Sequence, residues 1–338
     1  MSDYDSYFND DYDKYEARFD PMNTDRQARR KRKPKAASHK PKKSHWEIIN
    51  EIADPVGLEG GFETTYVPGL FEEEWLLDSL RDFYTMDFIS DVLARVRGGK
   101  EASVYRCQAT PKTEMSMAAA KVYRPRKFRN LRNDKVYREG RAYLKADGKE
   151  IKTNDHRLMR AIGKKTRLGE QVQHTSWLMY EYTTLQALYQ AGADVPEPIA
   201  TSDNAILMGY RGDENLAAPT LNTVMLAAGE AQNLFERTLW NIEVMLEHGL
   251  VHGDLSAYNI LYWDGAITLI DFPQVIEYRT NTNAYAILQR DIKRVCEYFV
   301  SQGVQVDPHV LANDLWTRHI GQQADNQIAD ASIFDVLD

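Results

Sequence analysis

Short apolar runs and apolar residues at helical spacing alternate along the first part of the chain. The segment FEEEWLLDSLRDF predicts a helix, because its apolar residues recur at the period of one helix face. FISDVLARV and RGGKEASVYRC then predict two strands joined by a glycine turn, and AAAKVYR predicts a third strand centred on Lys121. This part of the chain is therefore expected to form one helix and three strands.

The second part of the chain is expected to be richer in helices. Gly192 and Gly249 each follow an apolar stretch at helical spacing and are predicted to end those helices. Asp264-Gly265 separates two short apolar runs, which is typical of a tight β-hairpin turn. The predicted elements are a helix in SWLMYEYTTLQALYQAGA, two strands in VPEPIATSDNAILMGYRG, one or two helices in LNTVMLAAGEAQNLFERTLWNIEVMLEHG, a hairpin in VHGDLSAYNILYWDGAITLIDF and a helix in AILQRDIKRVCEYFV.

Composition places the chain among globular proteins. It has 338 residues, 43% of them hydrophobic, which is enough for one large or two ordinary domains. It has no apolar run of about 18 residues, so no membrane span is expected, and the N-terminus lacks a signal-peptide pattern. Cys107 and Cys296 are the only cysteines, which excludes a disulfide framework and a cysteine-rich zinc site. A reducing cytoplasm is the expected location.

The net charge of −8 conceals three strongly charged segments. Residues 1–25 carry eight acids and two bases, whereas residues 26–43 carry ten Lys/Arg and no acid. Residues 124–170 carry sixteen bases and six acids, and a loop of this length is expected to be functional or partly helical. Residues 1–45 have no apolar period and are predicted to be disordered. Their basic half is interpreted either as a nucleic-acid or ribosome contact or as a tail that solubilises the protein or folds back on its acidic neighbour.

The strongest chemical signal is the sequence HGDLSAYN, followed by Asp271. Phosphoryl transfer needs an oriented nucleophile and cations that oxygen ligands hold on the phosphates. Asp254 suits the orienting or base role, and Asn259 and Asp271 suit the ligation of Mg²⁺, which matches a kinase catalytic loop. The alternative is that each aspartate merely caps a turn or a strand end, but the complete spaced set favours catalysis. His252 is interpreted as a structural hydrogen-bonding residue.

A second signal is the glycine turn before the second strand. Gly99 lets the backbone approach phosphates closely, and Lys100 and Ser103 are expected to add side-chain contacts. Alone this signal is weak, because an ordinary hairpin turn explains it. Lys121 strengthens it, since a lysine on an apolar strand needs an anionic partner such as ATP phosphates or a helix carboxylate. Glu181 on the next helix is the predicted partner; a solvated helix face is the alternative for that residue.

Taken together, these segments resemble the RIO family of atypical protein kinases. The resemblance covers roughly residues 85–305 in the correct order, and its combination of motifs is not a general kinase pattern. No winged-helix pattern precedes it, which favours the RIO subfamily suggested by HGDLSAYN and APTL. The matching segments are GKEASVY, AKVYR, the helix bearing Trp177, Glu181 and Leu185, VPEPIA, ILMGYRGDENLAAPTL, VHGDLSAYNILY and LIDFPQ.

The resemblance implies an α+β fold: a two-lobed, protein-kinase-like domain that is reduced and lacks an activation segment. The kinase domain would consist of an N-lobe over residues 85–207, which contains the flexible basic loop 124–170, and a C-lobe over residues 212–305. Residues 46–84 would form an N-terminal extension that packs on the kinase core, and residues 306–338 a C-terminal segment.

The resemblance also implies roles for individual residues. Lys121 would contact the α/β-phosphates of ATP and pair with Glu181, and Met208 would be the gatekeeper beside the adenine-binding hinge. Asp254 would be the catalytic aspartate, and Asp271 a ligand of Mg²⁺ or Mn²⁺ that can also accept phosphate. The residues implied in nucleotide binding are Gly99, Lys100, Ser103, Val104, Lys121, Glu181, Met208, Tyr210 and Asn259, the last also as a metal ligand.

The function that the resemblance implies is a serine/threonine protein kinase with ATPase activity. Its substrate would be a protein or the kinase itself, and ribosomal RNA or a pre-ribosome would bind segments 26–43 and 124–170 during small-subunit maturation. Two departures from the family pattern are Arg97-Gly98, where Ser-Thr is usual, and Gly253, where Ala or Cys is usual.

Two other functions compete with this one. A small-molecule kinase of the aminoglycoside or choline type shares HGDxxxxN and IDF with the chain, but GKEASVY, APTL and IDFPQ argue against it. A non-catalytic RNA- or ribosome-binding scaffold is supported by the basic segments. The intact set of Lys121, Asp254, Asn259 and Asp271 argues against that scaffold.

Overall fold

The computed structural model describes residues 64–69, 72–99, 101–124, 141–152, 154–164, 166–227 and 229–319. The chain forms two compact units, the first ending at Asn130 and the second beginning at Leu131. This division lies inside the predicted flexible loop, and the predicted lobe boundary at 207–212 stays a prediction. The predicted disordered tail, residues 1–45, lies outside the described residues.

Among its described residues, the first unit contains one helix and an antiparallel sheet, as the apolar pattern predicts. The elements are α1 (Glu73–Thr85), β1 (Ile89–Gly98), β2 (Ala102–Ala109) and β3 (Met117–Tyr123), with β2 pairing to both other strands. On α1, Leu76, Leu80 and Phe83 are fully buried at the spacing of one helix face, and the helix packs against β1 and β3. The core of this unit therefore lies between α1 and the sheet.

The segment before α1 is fixed to the sheet by hydrogen bonds. The amide of Tyr66 donates to the carbonyl oxygen of Val92 at 2.8 Å, and the hydroxyl of Thr65 donates to Asp91 at 2.5 Å. Glu72 accepts hydrogen bonds from the hydroxyls of Tyr66 and Tyr105. Burial and the bond to Glu72 raise the pKa of Tyr105, so its phenol stays protonated and keeps donating.

The second unit combines five helices with three antiparallel strand pairs within the described residues, so the chain belongs to the predicted α+β class. The helices are α2 (His156–Gly163), α3 (Arg167–Gln190), α4 (Glu230–Glu247), α5 (Ala284–Ser301) and α6 over residues 308–319. The pairs are β4 (Pro198–Thr201) with β5 (Ala205–Gly209), β6 (Leu250–Val251) with β9 (Ile276–Glu277), and β7 (Ile260–Trp263) with β8 (Ala266–Leu269). Across the described part of the chain, no helix is long and apolar enough to span a membrane.

Turn residues end these elements where the sequence predicts. Gly192 and Gly249 follow α3 and α4 with φ angles of 83° and 80°, the left-handed conformation that closes a helix without steric cost for glycine. Asp264 and Gly265 also have positive φ angles, 50° and 75°, as a two-residue turn between twisted strands requires. The predicted hairpin β7–β8 is thereby confirmed.

The described part of the predicted flexible loop is partly helical. The carboxylate of Asp155 caps α2 by accepting from the amide of Leu158, and the hydroxyl of Thr166 caps α3 by accepting from the amide of Gly169. α3 therefore begins at Arg167, well before the apolar segment that predicts it. The two helices cross at Gly169, where a Cβ atom would collide with the carbonyl oxygen of Ala161. Helical structure thus extends into the basic segment 124–170.

Gly169→Ala is expected to destabilise the second unit, because the backbone of α2 has no room for the added methyl group. The expected loss is about 1–3 kcal/mol of unfolding free energy, as for other overpacked sites. Thermal unfolding of the full chain measures it. Gly163→Ala is the matched control, since nothing lies within 4 Å of its added Cβ. Equal melting temperatures for the two variants would contradict the close crossing.

Candidate active site

The loop between β6 and β7 brings the two predicted polar residues of HGDLSAYN into contact. The side-chain amide of Asn259 donates to the carbonyl oxygen of Asp254 at 2.9 Å and to its Oδ2 at 3.1 Å. Both residues are buried, and Asn259 ends a 3₁₀ turn, Ala257–Asn259, directly before β7. The side-chain nitrogen of Asn259 is thus hydrogen-bonded within the loop, and these bonds fix the orientation of the side chain.

Ile270 connects this loop to Asp271, which is the next residue in the chain. The amide of Ile270 donates to the carbonyl oxygen of Asn259 at 3.0 Å, and the carbonyl oxygen of Ile270 lies 3.2 Å from Nε2 of His252. Nδ1 of His252 accepts from the amide of Asp254 at 3.3 Å, so both nitrogen atoms of the ring have a backbone partner in this region. The interpretation of His252 as a structural hydrogen-bonding residue agrees with this geometry.

The backbone of Asp271 is left-handed, with φ 72°. This conformation is unfavourable for a residue with a side chain, although aspartate tolerates it better than most. The hydrogen bonds of Ile270 before it and the buried ring of Phe272 after it, 4.9 Å from the ring of His252, hold the segment. The direction of the Asp271 side chain is therefore set by its neighbours.

The donor atoms of this loop fit a magnesium ion. Since the nitrogen of the Asn259 side chain bonds to Asp254, its oxygen is the atom left for a ligand, and Asp271 offers a carboxylate. Mg²⁺ prefers such hard oxygen ligands and takes the rest of its shell from phosphate and water. The described residues contain no group of three or more His, Cys, Asp or Glu that could hold a metal ion.

Three charged residues of α5 that sequence reasoning missed hold the catalytic loop. Asp291 accepts from the amide of Gly253 at 2.8 Å, and Arg290 donates to the carbonyl oxygen of Gly253 and to Asp291. Arg294 donates to Oδ1 of Asp254 at 2.6 Å. Asp291 and Arg294 lie on the buried face of the predicted amphipathic helix, and that unusual placement is the signal that would have found them.

A second support missed from the sequence lies beyond Asp271. Arg141 donates to the carbonyl oxygens of Pro273 and Val275, and its guanidinium stacks 3.9 Å from the ring centre of Tyr180. On the other side of this segment, Gln274 lies close to Gly253. A Cβ atom added at Gly253 would collide with the carbonyl oxygen of Gln274. The segment after Asp271 is thus held between the catalytic loop and Arg141.

The predicted phosphate-loop residues belong to the first unit. The amide of Gly99 donates to the carbonyl oxygen of Ala102 at 2.9 Å, so Gly99 forms a tight turn between β1 and β2, and Lys100 lies outside the described residues. Val104 pairs with Lys121 across the sheet and therefore shares its face, whereas Ser103 points to the opposite face. A phosphate contact by the side chain of Ser103 is disfavoured by this geometry; the role of Val104 beside Lys121 stays a prediction.

The remaining predicted nucleotide-binding residues lie on described helices and strands. Lys121 is buried on β3, with its ammonium 5.6 Å from the ring centre of Tyr123. Glu181 is buried on α3, and Met208 pairs with Pro198 in the β4–β5 hairpin that leads to Tyr210. The solvated helix face considered for Glu181 is wrong, because the side chain is buried. The pairing of Lys121 with Glu181 and the adenine contacts stay predictions.

The chain belongs to the RIO family. The family model of the RIO domain matches residues 103–311, which is more than half of the sequence. The matched range includes strand β3 with Lys121 and the whole HGDLSAYN loop. The resemblance inferred from the motifs is thereby confirmed.

Curated relatives carry RIO kinase names. Serine/threonine-protein kinase RIO1 of Chaetomium thermophilum is 31% identical over 229 residues, which cover 64% of this chain and 41% of that protein. The RIO-type kinase Rio1 of Haloferax volcanii is 30% identical, covering 62% of this chain and 63% of that protein. The RIO-type kinase Rio2 of Methanocaldococcus jannaschii is 34% identical, covering 48% and 65%. The chain spans less than two thirds of each relative, and the predicted subfamily stays a prediction.

Solved structures of the Rio2 kinase from Chaetomium thermophilum are also similar to the chain. One has a TM-score of 0.46 at 20% identity and covers 70% of this chain and 66% of its own. Another, a complex described as ADP/Mg²⁺-phosphoaspartate, has a TM-score of 0.44 at 22% identity and covers 68% and 61%. Because both scores are low, the assignment to the family rests on the match to the RIO domain.

Arg141→Met is expected to loosen the segment after Asp271, because two carbonyl oxygens lose their donor and Tyr180 loses its stacking partner. Hydrogen–deuterium exchange of residues 272–278 is expected to be about tenfold faster, which corresponds to about 1.4 kcal/mol. Arg157→Met removes an exposed base from α2 and is the control. Unchanged exchange in residues 272–278 of the Arg141 variant would show that this arginine does not hold them.

Proposed function

We propose that the chain is an ATP- and Mg²⁺-dependent serine/threonine protein kinase of the RIO type. The observation that carries this proposal is the contact between Asp254 and Asn259, with Asp271 joined to them through Ile270. A loop that needed only to cap a turn would not require a buried carboxylate and a buried side-chain amide to be held in direct contact. The names of the relatives support the same reaction.

In this proposal each residue of the loop has a separate task. Asp254 accepts a hydrogen bond from the attacking hydroxyl group and directs it toward the γ-phosphate. Asn259 and Asp271 hold Mg²⁺, which neutralises charge on the phosphates when it is bound. Lys121 contacts the α/β-phosphates and pairs with Glu181, while Gly99, Val104, Met208 and Tyr210 surround the rest of the nucleotide.

The substrate is proposed to be a seryl or threonyl hydroxyl of another protein or of the chain itself. ATP hydrolysis is proposed as a second outcome, in which a carboxylate oxygen of Asp271 bonds to the γ-phosphorus as the bond to the leaving ADP breaks. Water then attacks the aspartyl phosphate, which releases inorganic phosphate and restores the carboxylate. Mn²⁺ has the same preference for oxygen ligands and is proposed as a substitute metal. The family assignment makes the aminoglycoside- or choline-type kinase a weaker alternative.

A second proposed function is contact with RNA, in the cytoplasm and during maturation of the small ribosomal subunit. It is favoured by the exposed bases of α2 and the start of α3; the acids beside them are Asp155, which caps α2, and Glu170 in the first turn of α3. These bases are Arg157, Arg160, Lys164 and Arg167. Clustered exposed bases attract a phosphate backbone and release its counterions. In this proposal the basic helix binds RNA while the catalytic loop turns over ATP; segment 26–43, the other predicted contact, lies outside the described residues.

Asp254→Asn and Asp271→Asn are each expected to lower Mg²⁺-dependent ATP turnover and self-labelling by at least about a hundredfold. Free phosphate and protein-bound label are both measured from γ-labelled ATP. Asp264→Asn, at the other end of the β7–β8 hairpin, is the matched control and keeps its activity, because asparagine tolerates the same positive φ. An inactive wild-type protein that binds no ATP would contradict the kinase proposal and favour the scaffold. Turnover that requires a small aminated acceptor would favour the small-molecule kinase.

Replacing Arg157, Arg160 and Lys164 together by Glu is expected to weaken binding of a labelled single-stranded RNA. The slope of log affinity against log salt concentration should become less steep by about 2, because about three phosphate contacts are lost. Fluorescence anisotropy over a salt series gives the slope. Lys112→Glu, on an exposed base of the first unit, is the control. RNA affinity and slope equal to those of the wild type would remove α2 from the RNA contact.

A further inference from the structure

We infer that Arg294 is a positioning residue for the phosphoryl-transfer step: its buried guanidinium holds the carboxylate of Asp254 in one orientation. The inference rests on the proposed kinase function. It assigns a role in the reaction to a residue of α5 that lies forty positions beyond Asp254 in the sequence and outside every motif of the catalytic loop.

The contact between the two side chains is short and fully enclosed. Nη1 of Arg294 lies 2.6 Å from Oδ1 of Asp254, which is the length of a strong charge-assisted hydrogen bond. Arg294 is 2% exposed and Asp254 is 5% exposed. Water is therefore absent from most of the surroundings of the pair, and its electrostatic attraction is weakly screened.

The second oxygen of the carboxylate is fixed as well. Oδ2 of Asp254 accepts from the side-chain amide of Asn259 at 3.1 Å, while Oδ1 accepts from Arg294. A carboxylate group held at both oxygens cannot rotate about its terminal bond without breaking one of the two hydrogen bonds. The plane of the carboxylate is therefore fixed, and with it the directions in which its oxygens accept hydrogen bonds. An attacking hydroxyl group thus meets an acceptor that is oriented before it arrives.

Stability alone is a poor explanation for this ion pair. Arg294 is 2% exposed, so its guanidinium has lost nearly all contact with water. Transferring a guanidinium into such surroundings is costly, and well-packed hydrophobic residues are often at least as stabilising as a buried ion pair. An arginine on this face of the helix is better explained by the carboxylate that it holds.

The contacts of α5 separate support of the loop backbone from support of the side chain. Asp291 and Arg290 bind the amide and the carbonyl oxygen of Gly253, so they hold the backbone. Arg294 binds the carboxylate of Asp254 itself. Loss of Arg294 should therefore leave the loop in place and affect chiefly the orientation of Asp254, which changes catalysis rather than nucleotide binding.

The experiment compares steady-state kinetics of the full-length wild type with Arg294→Met, Arg294→Lys and Lys293→Met, with protein and Mg²⁺-ATP as the only components. Arg294→Met is expected to lower kcat by about 10- to 100-fold, the range for groups that orient a reacting or ligating side chain, with the KM for ATP changed by less than about threefold. Arg294→Lys keeps a donor and a charge and should recover part of kcat. Lys293 is exposed on the same helix, so Lys293→Met should behave as the wild type.

Thermal unfolding of Arg294→Met, Asp254→Asn and the double variant is measured in parallel. If the two side chains are directly coupled, the double variant should lose less unfolding free energy than the two single variants lose together. The reason is that no unpaired buried charge remains when both residues are replaced. An unchanged kcat in Arg294→Met, or a loss of kcat matched by an equal loss of ATP-binding sites, would overturn the inference. Additive losses of stability would also overturn it; if Arg294→Met fails to fold, the same cycle is measured with Arg294→Lys in its place. An inactive wild type would instead overturn the proposed function. The unfolding data would still test whether Arg294 and Asp254 are coupled.

Discussion

The fixed carboxylate of Asp254 is the constraint on which the geometry of the candidate site depends. Arg294 holds one oxygen, Asn259 holds the other, and Asp291 and Arg290 hold the adjacent backbone at Gly253. All of these interactions converge on a loop of irregular backbone, which has no ladder of its own to stabilise it. The long helix α5 therefore serves as a rigid base from which charged side chains shape the loop.

The same loop also helps to hold the backbone next to Asp271, the carboxylate residue that is predicted to bind metal. Ile270 makes one hydrogen bond to Asn259 and one to His252, and Asp271 follows in a left-handed conformation. Beyond it, Arg141 holds the next segment through its carbonyl oxygens. Because Arg141 is part of the basic segment 124–170, a ligand that bound this segment near Arg141 would lie close to the hydrogen bonds that hold the residues after Asp271.

Local sequence patterns were sufficient for much of the fold and for the principal site residues. The periods of apolar residues predicted α1, the three strands of the first unit and the amphipathic α5, and turn chemistry predicted the β7–β8 hairpin. The spacing in HGDLSAYN predicted that Asp254 and Asn259 serve one site, whereas the hydrogen bond between them is seen only in the structure. Arg294 and Arg141 were missed because their partners are 40 and 132 residues away, and only tertiary structure brings them together. α2 was missed as a discrete helix because its sequence is short and basic; a cap at Asp155 and the close crossing at Gly169 define it.

The central claim is that Asn259 and Asp271 hold a metal ion on a nucleotide whose transfer Asp254 directs. A crystal structure of the full chain with Mg²⁺ and a non-hydrolysable ATP analogue tests it most directly. The account predicts a metal ion bound by the side-chain oxygen of Asn259 and the carboxylate of Asp271, with its remaining ligands from phosphate and water. It also predicts an Asp254 carboxylate that still contacts Arg294. A nucleotide bound without a metal at these two residues, or an Asp254 turned away from the phosphates, would contradict the account.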